Sequence, residues 1–577
     1  MRMTMSNAIW MLHTKKADFD RISQTFDISP VTARILRNRD VTEEEDIRRF
    51  LSGTVADLWN PHLMKDMDLA VSILQDKIAA GKRIRIVGDY DIDGVCSVYL
   101  LLKGLGRAGA KADYEIPDRI RDGYGINESI IRAAAADGID TILTCDNGIA
   151  AMEPIRIAKE LGMTVIITDH HEILTQDGEE LIPCADAVVN PHQKACQYPF
   201  EGICGGLVAY KLVQVLYEAY GIPVQEWQDM LEIAAVATVG DVMKLQNENR
   251  IVVKWGLKQM PRTGSLGLRK LIEACNLDIG AMTAYHIGFV IGPCLNAGGR
   301  LQTAKLALQL LISEDPAEAE QLAIQLKELN EQRKDLTAKG VEAALAQVEA
   351  LHREDKVLVV FLPDCHESLA GIIAGRVREA SHKPVFVLTR GEEGVKGSGR
   401  SIEAYSMFQE LTKVKDLLVK FGGHPMAAGL SLKEEHVDEF RRRLNELAQL
   451  TEDDFKPRVW IDVPMPLSYI TEPLVQELQK LEPFGQGNEK PQFAQKNVRI
   501  RSMRVLGKNR NCVKLSLTGE GGFVMDGLLF GDGDQFEADA AGSESIDVIY
   551  YPDINEYNGK RTLQAVIKDY KLHTNGG

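Results

Sequence analysis

The chain has 577 residues, of which 45% are hydrophobic and 26% are charged, an ordinary composition for a globular protein. It is too long for one compact core, and three or four domains are expected at roughly 150 residues each. The sequence has no run that approaches the ~20 apolar residues needed to cross a bilayer. The N-terminal segment carries charges at Lys15, Lys16 and Asp18 and has no apolar core of the kind found in signal peptides. We therefore expect a cytoplasmic protein with no membrane association.

The nine cysteines are scattered and form no CxxC pair, so neither a structural zinc site nor a disulfide framework is expected. The net charge of −16 by itself argues against a polyanionic partner. The stretch 496–510 is an exception. It has no acidic residue and six basic ones: Lys496, Arg499, Arg501, Arg504, Lys508 and Arg510. Such a stretch is either a solvated strand face or a nucleic-acid-binding surface, and its place in a predicted barrel favours the second interpretation.

Residues 1–80 are predicted to form short helices that carry no chemistry. From residue 83 apolar strands alternate with helices, which is typical of a parallel sheet covered on both faces. The predicted strands are Arg83–Gly88, Thr141–Cys145, Val165–Thr168 and Ala187–Asn190. The predicted helices are Ser97–Arg107, Glu128–Asp137, Glu153–Leu161 and Gly206–Tyr220. In such sheets ligands bind beyond the carboxyl ends of the strands.

A long helix is predicted over residues 314–356, and Gly340 is its only interruption. Its apolar stripe is expected to consist of Leu322, Leu326, Leu329 and Leu336. A second α/β domain follows, and the C-terminal region is rich in short strands. Those strands are Asn497–Leu506, Asn511–Leu517, Gly522–Phe530, Ser545–Tyr550 and Arg561–Tyr570, a number that suits an oligonucleotide-binding (OB) barrel.

The predicted fold class is therefore α/β, with two α/β lobes joined by a long helix and an OB-type β-barrel at the C-terminus. The first lobe contains the parallel sheet. The predicted boundaries are 1–80 for the N-terminal helical segment, 81–313 for the first lobe, 314–356 for the connecting helix, 357–450 for the second lobe and 451–577 for the barrel.

Four acidic or histidine clusters follow apolar runs of the first lobe. They are Asp89, Asp91 and Asp93 after the first strand, Asp146 after the second, Asp169-His170-His171 after the third, and Asp241 after the run 231–240. Alternate aspartates on an extended segment point to one face, so residues 89–93 are expected to aim three carboxylates at one point. Three of the four clusters follow strands of one sheet, whose carboxyl ends share one rim.

Carboxylates mixed with imidazole suit Mn²⁺ or Mg²⁺. Four to seven such ligands are enough for two ions, which about 3.5–4 Å apart activate a water and stabilise the leaving oxygen of a phosphoester. A single DxD after a strand is more often a turn with a helix cap, and a single histidine pair usually packs on the surface or in the core. Their repetition after successive strands favours a two-metal centre.

Several segments resemble one family. GDYDIDG (88–94), TCDNG (144–148), TDHH (168–171) and VGDV (239–242) are similar to the four motifs of the DHH phosphoesterase superfamily. The RecJ family within it is indicated by IPDR (116–119) with GYG (123–125), GPCLNAGGR (292–300), HE (366–367), GSGRS (397–401) and GGH (422–424). LGKNRNCVKLSL (506–517) and residues 554–570 resemble its OB domain. One departure is Cys294, where arginine is common in the family.

The resemblance implies catalytic roles for particular residues. The implied metal ligands are Asp89, Asp91, Asp93, Asp146, His170 and Asp241. Asp146 would bridge the two ions, and His171 would be either a ligand or a phosphate contact. Arg300 would hold the scissile phosphate, because a guanidinium matches phosphate oxygens bidentately. A surface salt bridge is the alternative role for Arg300.

Substrate contacts are implied elsewhere. The second lobe would supply a phosphate-binding wall from Ser398, Arg400, Gly423 and His424, where glycine lets backbone N–H groups approach the strand. The barrel would bind the strand through Arg499, Arg501 and Arg504. Arg119, together with Ser398 and Arg400, would recognise a terminal 5′ phosphate. An ion pair with Asp118 or Asp122 is the plainer role for Arg119.

The implied activity is 5′ to 3′ hydrolysis of single-stranded DNA to mononucleotides by a two-metal-ion mechanism, in DNA repair and recombination. The cofactors would be two Mn²⁺ or Mg²⁺ ions, and the candidate partners of a monomeric enzyme are a single-strand-binding protein and a helicase. The alternatives are a phosphodiesterase for short oligoribonucleotides or cyclic dinucleotides, a manganese-dependent pyrophosphatase, and an inactive DNA-binding scaffold. A small-substrate enzyme does not need the basic barrel, a pyrophosphatase does not need this chain length, and a scaffold does not need intact metal motifs.

Overall fold

The computed structural model describes residues 8–574 except 120–122, 124, 393 and 558. The chain forms two compact units. Unit I contains residues 42–332 and 481–489, and unit II contains the described residues up to 41 together with residues 333–480 and 490–574. Every helix in the described part of the chain is too short or too polar to span a bilayer.

The N-terminal region is helical, as predicted, but it also contains a strand. Strand β1 (Ile9–Leu12) pairs in parallel with residues 458–461 of the same unit. The helices are α1 (Phe19–Phe26), α2 (Pro30–Asn38), α3 (Glu44–Ser52) and α4 (Met67–Ala79). Serine before a proline explains where α2 begins, because the Ser29 side chain accepts a hydrogen bond from the Thr32 N–H.

Unit I is built on a parallel five-stranded sheet. Its strands are β2 (Arg83–Val87), β3 (Lys111–Glu115), β4 (Thr141–Cys145), β5 (Thr164–Thr168) and β8 (Ala187–Val189), in the order β3-β2-β4-β5-β8. The short pair β6 (Thr175–Gln176) and β7 (Glu179–Glu180) lies outside it. Strand β4 is buried at every residue, as expected for a strand covered on both faces. Strand β3 was missed because its sequence, KADYE, is mostly polar.

The helices of unit I cover the sheet. They are α5 (Ile92–Arg107), α6 (Glu128–Ala136), α7 (Met152–Glu160), α8 (Gly205–Tyr220), α9 (Val224–Gln228), α10 (Leu231–Gly240), α11 (Asn247–Gln259), α12 (Leu266–Ala274), α13 (Ala284–His286), α14 (Gly292–Leu301) and α15 (Lys305–Ile312). A π-helical segment, Ile287–Ile291, joins α13 to α14. Helix α5 begins five residues before the predicted start, because Asp91 caps it.

One buried side chain fastens residues 481–489 to unit I. Arg250 in α11 is 1% exposed, and its guanidinium donates hydrogen bonds to the carbonyl oxygens of Phe50 (2.8 Å) and Leu481 (2.7 Å). The guanidinium carbon also lies 3.9 Å from the centre of the Phe50 ring. Phe50 and Leu481 are both buried, so the arginine supplies donors to carbonyl oxygens that would otherwise be costly to bury.

The predicted long helix is present as α16 (Pro316–Leu351), 36 residues long. Leu326 and Leu329 are buried, as the stripe predicted, but Leu336 is 46% exposed. Gly340 does not interrupt the helix. A β-carbon there would lie 2.4 Å from Ile373, so the glycine allows a neighbouring helix to approach.

The second α/β region of unit II has a mixed sheet in the order β12-β13-β11-β10-β9. Its strands are β9 (Leu358–Phe361), β10 (Val385–Gly391), β11 (Gly394–Arg400), β12 (Leu418–His424) and β13 (Ala427–Leu432). Its helices are α17 (Glu367–Ser381), α18 (Met407–Lys413) and α19 (Val437–Leu447). Only β9 and β10 are parallel, which distinguishes this sheet from the first.

The C-terminal region is a closed five-stranded barrel, as predicted. The small strands β14 (Arg458–Ile461) and β15 (Val463–Pro464) and helix α20 (Glu472–Gln479) precede it. The barrel strands are β16 (Phe493–Leu506), β17 (Cys512–Thr518), β18 (Val524–Phe530), β19 (Ser543–Tyr557) and β20 (Lys560–Thr574), with α21 (Gly533–Asp539) between β18 and β19. Pairing of β16 with β19 closes the barrel and removes its open edges.

Candidate metal centre and phosphate-binding residues

The acidic and histidine clusters come together at the carboxyl ends of β2, β4 and β5. Three groups of side chains can be distinguished, and within each group the ligand atoms lie within 4.8 Å of one another. They are Asp89 with Asp91 and Asp146, Asp93 with His170 and Asp241, and Asp146 with His170 and His171. The strand order reverses between β2 and β4, so the site lies at the switch point where parallel sheets bind ligands.

The three aspartates after β2 are not on one extended segment, so that expectation was wrong. Asp91 is the N-cap of α5, where its carboxylate accepts hydrogen bonds from the Asp93 N–H (3.0 Å) and the Gly94 N–H (3.1 Å). Asp93 therefore lies in the first helical turn. Asp89 lies in the short loop between β2 and α5, so a loop, a cap and a helical turn bring the three carboxylates to one place.

The backbone at Asp146 is held in an unusual conformation. Its φ angle is +59°, in the left-handed region that residues with side chains seldom adopt. Asn147 holds this turn in place, because its amide donates to the carbonyl oxygens of Val87 (3.0 Å) and Cys145 (2.8 Å). Strain held in this way is common at functional sites. Here it aims the Asp146 carboxylate at His170, with Nε2 3.1 Å from Oδ1.

Asp169 organises the two histidines that follow it. One carboxylate oxygen accepts from the backbone N–H groups of His170 (2.8 Å) and His171 (3.2 Å) and lies 2.7 Å from Nδ1 of His171. The other accepts from the Ile149 N–H (2.9 Å). Burial lowers the pKa of His171, but the hydrogen bond and charge of Asp169 together with the charges of Asp241 and Asp93 outweigh it and raise that pKa to about 9. Burial lowers the pKa of His170, which favours the neutral imidazole that binds metals.

The fourth cluster lies at a helix end. Asp241 is the C-cap of α10, and its carboxylate oxygen lies 3.7 Å from Nε2 of His170. The next residue, Val242, has a φ angle of +57° and is 67% exposed. A β-branched residue in the left-handed region is strained, so the turn that presents Asp241 is also held against its local preference.

Helix α8 contributes a contact that the motifs did not reveal. The N–H groups of Gly205 and Gly206 each lie 2.7 Å from a carboxylate oxygen of Asp93. A β-carbon on Gly205 would lie 2.7 Å from that of Asp146, and one on Gly206 would lie 2.5 Å from Ala237. Glycine is therefore required at both positions for the first turn of α8 to reach the carboxylates.

The carboxylates repel one another. Burial and the neighbouring Asp91 raise the pKa of Asp89 to about 8, and burial and Asp93 raise that of Asp241 to about 8. The same causes raise the pKa of Asp146 well above its usual range. Oδ2 of Asp89 is buried without a hydrogen-bond partner among the described residues. Bound divalent cations would supply the missing partner and offset this repulsion, so the donor set fits oxygen-preferring metal ions.

Arg119 and Arg300, which are both predicted to contact phosphate, line one small cavity. Its volume is about 40 Å³, and Tyr90, Asp118 and the segment 299–304 complete its wall. The Arg119 guanidinium lies 4.8 Å from the centre of the Tyr90 ring. Because Tyr90 stands between Asp89 and Asp91, this cavity adjoins the carboxylates. Asp122, the alternative ion-pair partner of Arg119, and Tyr124 of the GYG motif lie outside the described residues.

Three residues of the predicted phosphate-binding wall, Ser398, Arg400 and His424, lie on one sheet face within unit II, whereas Gly423 pairs with the buried Ala428 on the other face. Arg400 on β11 and His424 on β12 both pair with Ala427 on β13, so the three side chains share one face. In the next row but one, Ser398 and Gly422 both pair with Gly429. A β-carbon on Gly422 or Gly429 would meet no atom within 4 Å, so this face is open.

Gly371 and Gly423 each avoid a steric clash next to these residues. A side chain at Gly371 on α17 would collide with the Arg400 guanidinium, since the added β-carbon lies 2.8 Å from Nη2. Gly423 has a φ of +146°, and a β-carbon there would lie 2.4 Å from the carbonyl oxygen of Ala427. Its role is therefore in the backbone of β12.

The basic stretch of the barrel is divided into two kinds of residue. Arg499, Arg501 and Arg504 are exposed on β16 and make no ion pair within the described part of the chain. Arg510 instead forms ion pairs with Asp534 (2.5 Å) and Glu537 (3.4 Å). Three arginines on strand β16 are therefore available to bind a polyanion, whereas the charge of Arg510 is neutralised by Asp534 and Glu537.

Comparison with known proteins agrees with this architecture. The family model for the DHH family N-terminal domain matches residues 83–238, that for the DHHA1 domain matches 354–450, and that for the RecJ OB domain matches 461–569. A Bacillus subtilis protein named single-stranded-DNA-specific exonuclease RecJ is 37% identical over 96% of this chain and 70% of its own. The Escherichia coli protein of that name is 32% identical over 94% of this chain and 96% of its own.

The chain belongs to the RecJ family. Among solved structures, RecJ from Thermus thermophilus in complex with Mn²⁺ superposes with a TM-score of 0.84 at 29% identity, covering 98% of this chain and 79% of that one. The same protein in complex with Mg²⁺ gives a TM-score of 0.78.

The family departure at Cys294 has a clear structural setting. Cys294 is buried in α14, with Sγ 3.9 Å from Sγ of Cys275 and 3.3 Å from Nδ2 of Asn330. Cys294 therefore packs in the hydrophobic core of unit I and does not face solvent. Asn296 of the same motif instead contacts the metal-centre segment, since its side-chain oxygen accepts from the Ile92 N–H (2.8 Å) at the start of α5.

Proposed function

We propose that this protein is a single-strand-specific DNA exonuclease that hydrolyses phosphodiester bonds from the 5′ end and releases mononucleotides. The observation that carries this proposal is the convergence of five carboxylates and two histidines at the switch point of a RecJ-family sheet. We place its action in the cytoplasm in DNA repair and recombination, as a monomer, with a single-strand-binding protein and a helicase as partners.

The residues at this point fit two divalent cations. Asp89, Asp91 and Asp146 would hold one, and Asp93, His170 and Asp241 the other, with Asp146 close enough to both groups to bridge them. The solved RecJ structures with Mn²⁺ and Mg²⁺ support either metal. Two such ions, when bound, supply an activated water and charge stabilisation for the leaving oxygen.

The chain's own residues orient the substrate and the carboxylates. Asp169 and the first turn of α8 hold His170, His171 and Asp93 before substrate arrives, so little reorganisation is needed during the reaction. The His171 side chain is more exposed than that of His170, 43% against 10%, and we assign it a contact with a phosphate oxygen. Arg300, at the end of α14, is the second cationic contact that we assign to the scissile phosphate.

We assign recognition of the 5′ end to the small cavity beside the metal centre. A terminal phosphate carries about two negative charges and suits a guanidinium ligand. Arg119 lines the same cavity as Arg300, which supports a role in recognising the terminal phosphate. Ser398, Arg400 and His424 share an open sheet face of unit II, and we assign to this face hydrogen-bond donors for DNA phosphates.

End-labelled single strands test this proposal directly. Replacement of Arg119 by alanine should slow digestion of 5′-phosphorylated DNA far more than of 5′-hydroxyl DNA, which narrows the difference between the two. Blocking the 3′ end should leave both rates unchanged. Degradation that starts at a free 3′ end, or an Arg119→Ala enzyme that retains the full preference for a 5′ phosphate, would contradict the assignment.

A further inference from the structure

A pair of exposed aromatic rings lies on the helix that borders the metal centre. Tyr285 is 63% exposed and Phe289 is 65% exposed. Their rings are stacked, with centroids 4.8 Å apart and planes inclined by 28°. Rings of this size are normally buried or hold a partner, so two stacked rings left in solvent indicate a binding surface.

The same helical run is packed against the elements that carry the carboxylates. Along α13, the π-helical segment and α14, one stripe faces the centre. A β-carbon on Gly292 would lie 3.3 Å from Ile92, Asn296 accepts from the Ile92 N–H, and a β-carbon on Gly299 would lie 2.5 Å from the carbonyl oxygen of Tyr90. A β-carbon on Gly288, the neighbour of Phe289, would lie 3.5 Å from Val239 near the end of α10. The aromatic pair therefore lies on the exposed side of a helical run whose other side packs against the site.

The helical run also relates the rings to the phosphate ligand. Phe289 and Arg300 are eleven residues apart on one continuous run, which corresponds to a separation of ~16 Å along its axis. Stacked nucleotides rise about 3.4 Å each, so the rings lie within roughly five nucleotides of a phosphate bound at Arg300. Phe289 itself lies in the π-helical segment, a feature that often accompanies functional sites.

We propose that Tyr285 and Phe289 form a stacking platform for the bases of the single strand that enters the metal centre. This inference rests on the proposed function. An aromatic ring binds any base, because every base has a π face, so the platform would position the strand without selecting sequence. Paired bases in a duplex are already stacked on their neighbours, so the platform would also favour single strands.

A ring-by-base comparison tests the platform. The Tyr285→Ala/Phe289→Ala enzyme and the wild type are assayed with Mn²⁺ on single strands that carry one abasic site at successive positions from the 5′ end. In the wild type, KM should rise about 10-fold when the abasic site occupies one narrow window of positions, with kcat little changed. In the double variant, KM should already be raised about 10-fold on intact DNA, and the window should disappear.

Control variants separate the platform from general effects. Tyr285→Phe keeps the ring and should retain the wild-type KM and window. Tyr220, an exposed aromatic at the end of α8, provides a matched surface control, and Tyr220→Ala should behave as wild type. A window that persists in the double variant, or an unchanged KM for that variant, would overturn the platform while leaving the nuclease assignment intact. A wild-type enzyme that does not cleave single strands would overturn both.

Discussion

Replacing Arg499, Arg501 and Arg504 with glutamine should weaken binding of long single strands and flatten its salt dependence. The three arginines are exposed on β16 and make no ion pair within the described residues, so each is available to displace a counterion from DNA. On single strands each such contact adds about 0.7 to the slope of log K against log salt. Loss of three contacts should therefore reduce the slope by about 2 and lower the affinity roughly 100-fold at 0.1 M salt.

The assay is fluorescence anisotropy with a long labelled single strand from 0.05 to 0.4 M salt, together with cleavage of a very short oligomer. Arg510 supplies the matched control, because its charge is already neutralised by Asp534 and Glu537, so Arg510→Gln should change the slope by well under 1. Cleavage of the short oligomer should be unchanged in the triple variant. Equal losses on short and long substrates, or an unaltered salt slope, would refute the assignment of this face to strand binding.

Two further predictions concern positioning and stability. Gly205→Ala should lower cleavage and metal affinity 10- to 100-fold, because the added carbon would press on Asp146 and move the N–H that binds Asp93. Gly106→Ala, in open space at the end of α5, should have no such effect in the same kinetic and calorimetric assays. Arg250→Met should reduce the free energy of unfolding of unit I by about 3 kcal/mol, because two buried carbonyl oxygens lose a charged donor. A loss below about 1 kcal/mol in urea unfolding would mean that these oxygens find other partners.

The sequence predicted the features that depend on local pattern. Apolar runs such as Thr141–Cys145 identified the buried strands, and the aspartates and histidines after them identified the rim where ligand atoms meet. The polar edge strand β3 was missed, because its residues carry no apolar pattern. The extended geometry expected for residues 89–93 was wrong, because the capping preference of Asp91 starts a helix there.

Other parts of the site depend on contacts between distant segments. Gly205 and Gly206 reach Asp93 from more than a hundred residues away, and a glycine pair alone usually indicates only a turn. The sequence also does not predict that Tyr285 and Phe289 are exposed, since aromatic residues at helical spacing are more often part of a core. The left-handed φ of Asp146 had a weak signal in the following Asn-Gly pair, which is typical of tight turns.

We assign the cleavage to a two-metal centre that the carboxylates at the switch point form. Asp146→Ala tests it most directly, because this residue belongs to two of the three ligand groups. The variant should retain the circular dichroism and unfolding transition of the wild type, bind Mn²⁺ more weakly by calorimetry, and lose nearly all hydrolysis of single-stranded DNA. A folded Asp146→Ala enzyme with more than about a tenth of wild-type activity would contradict the account.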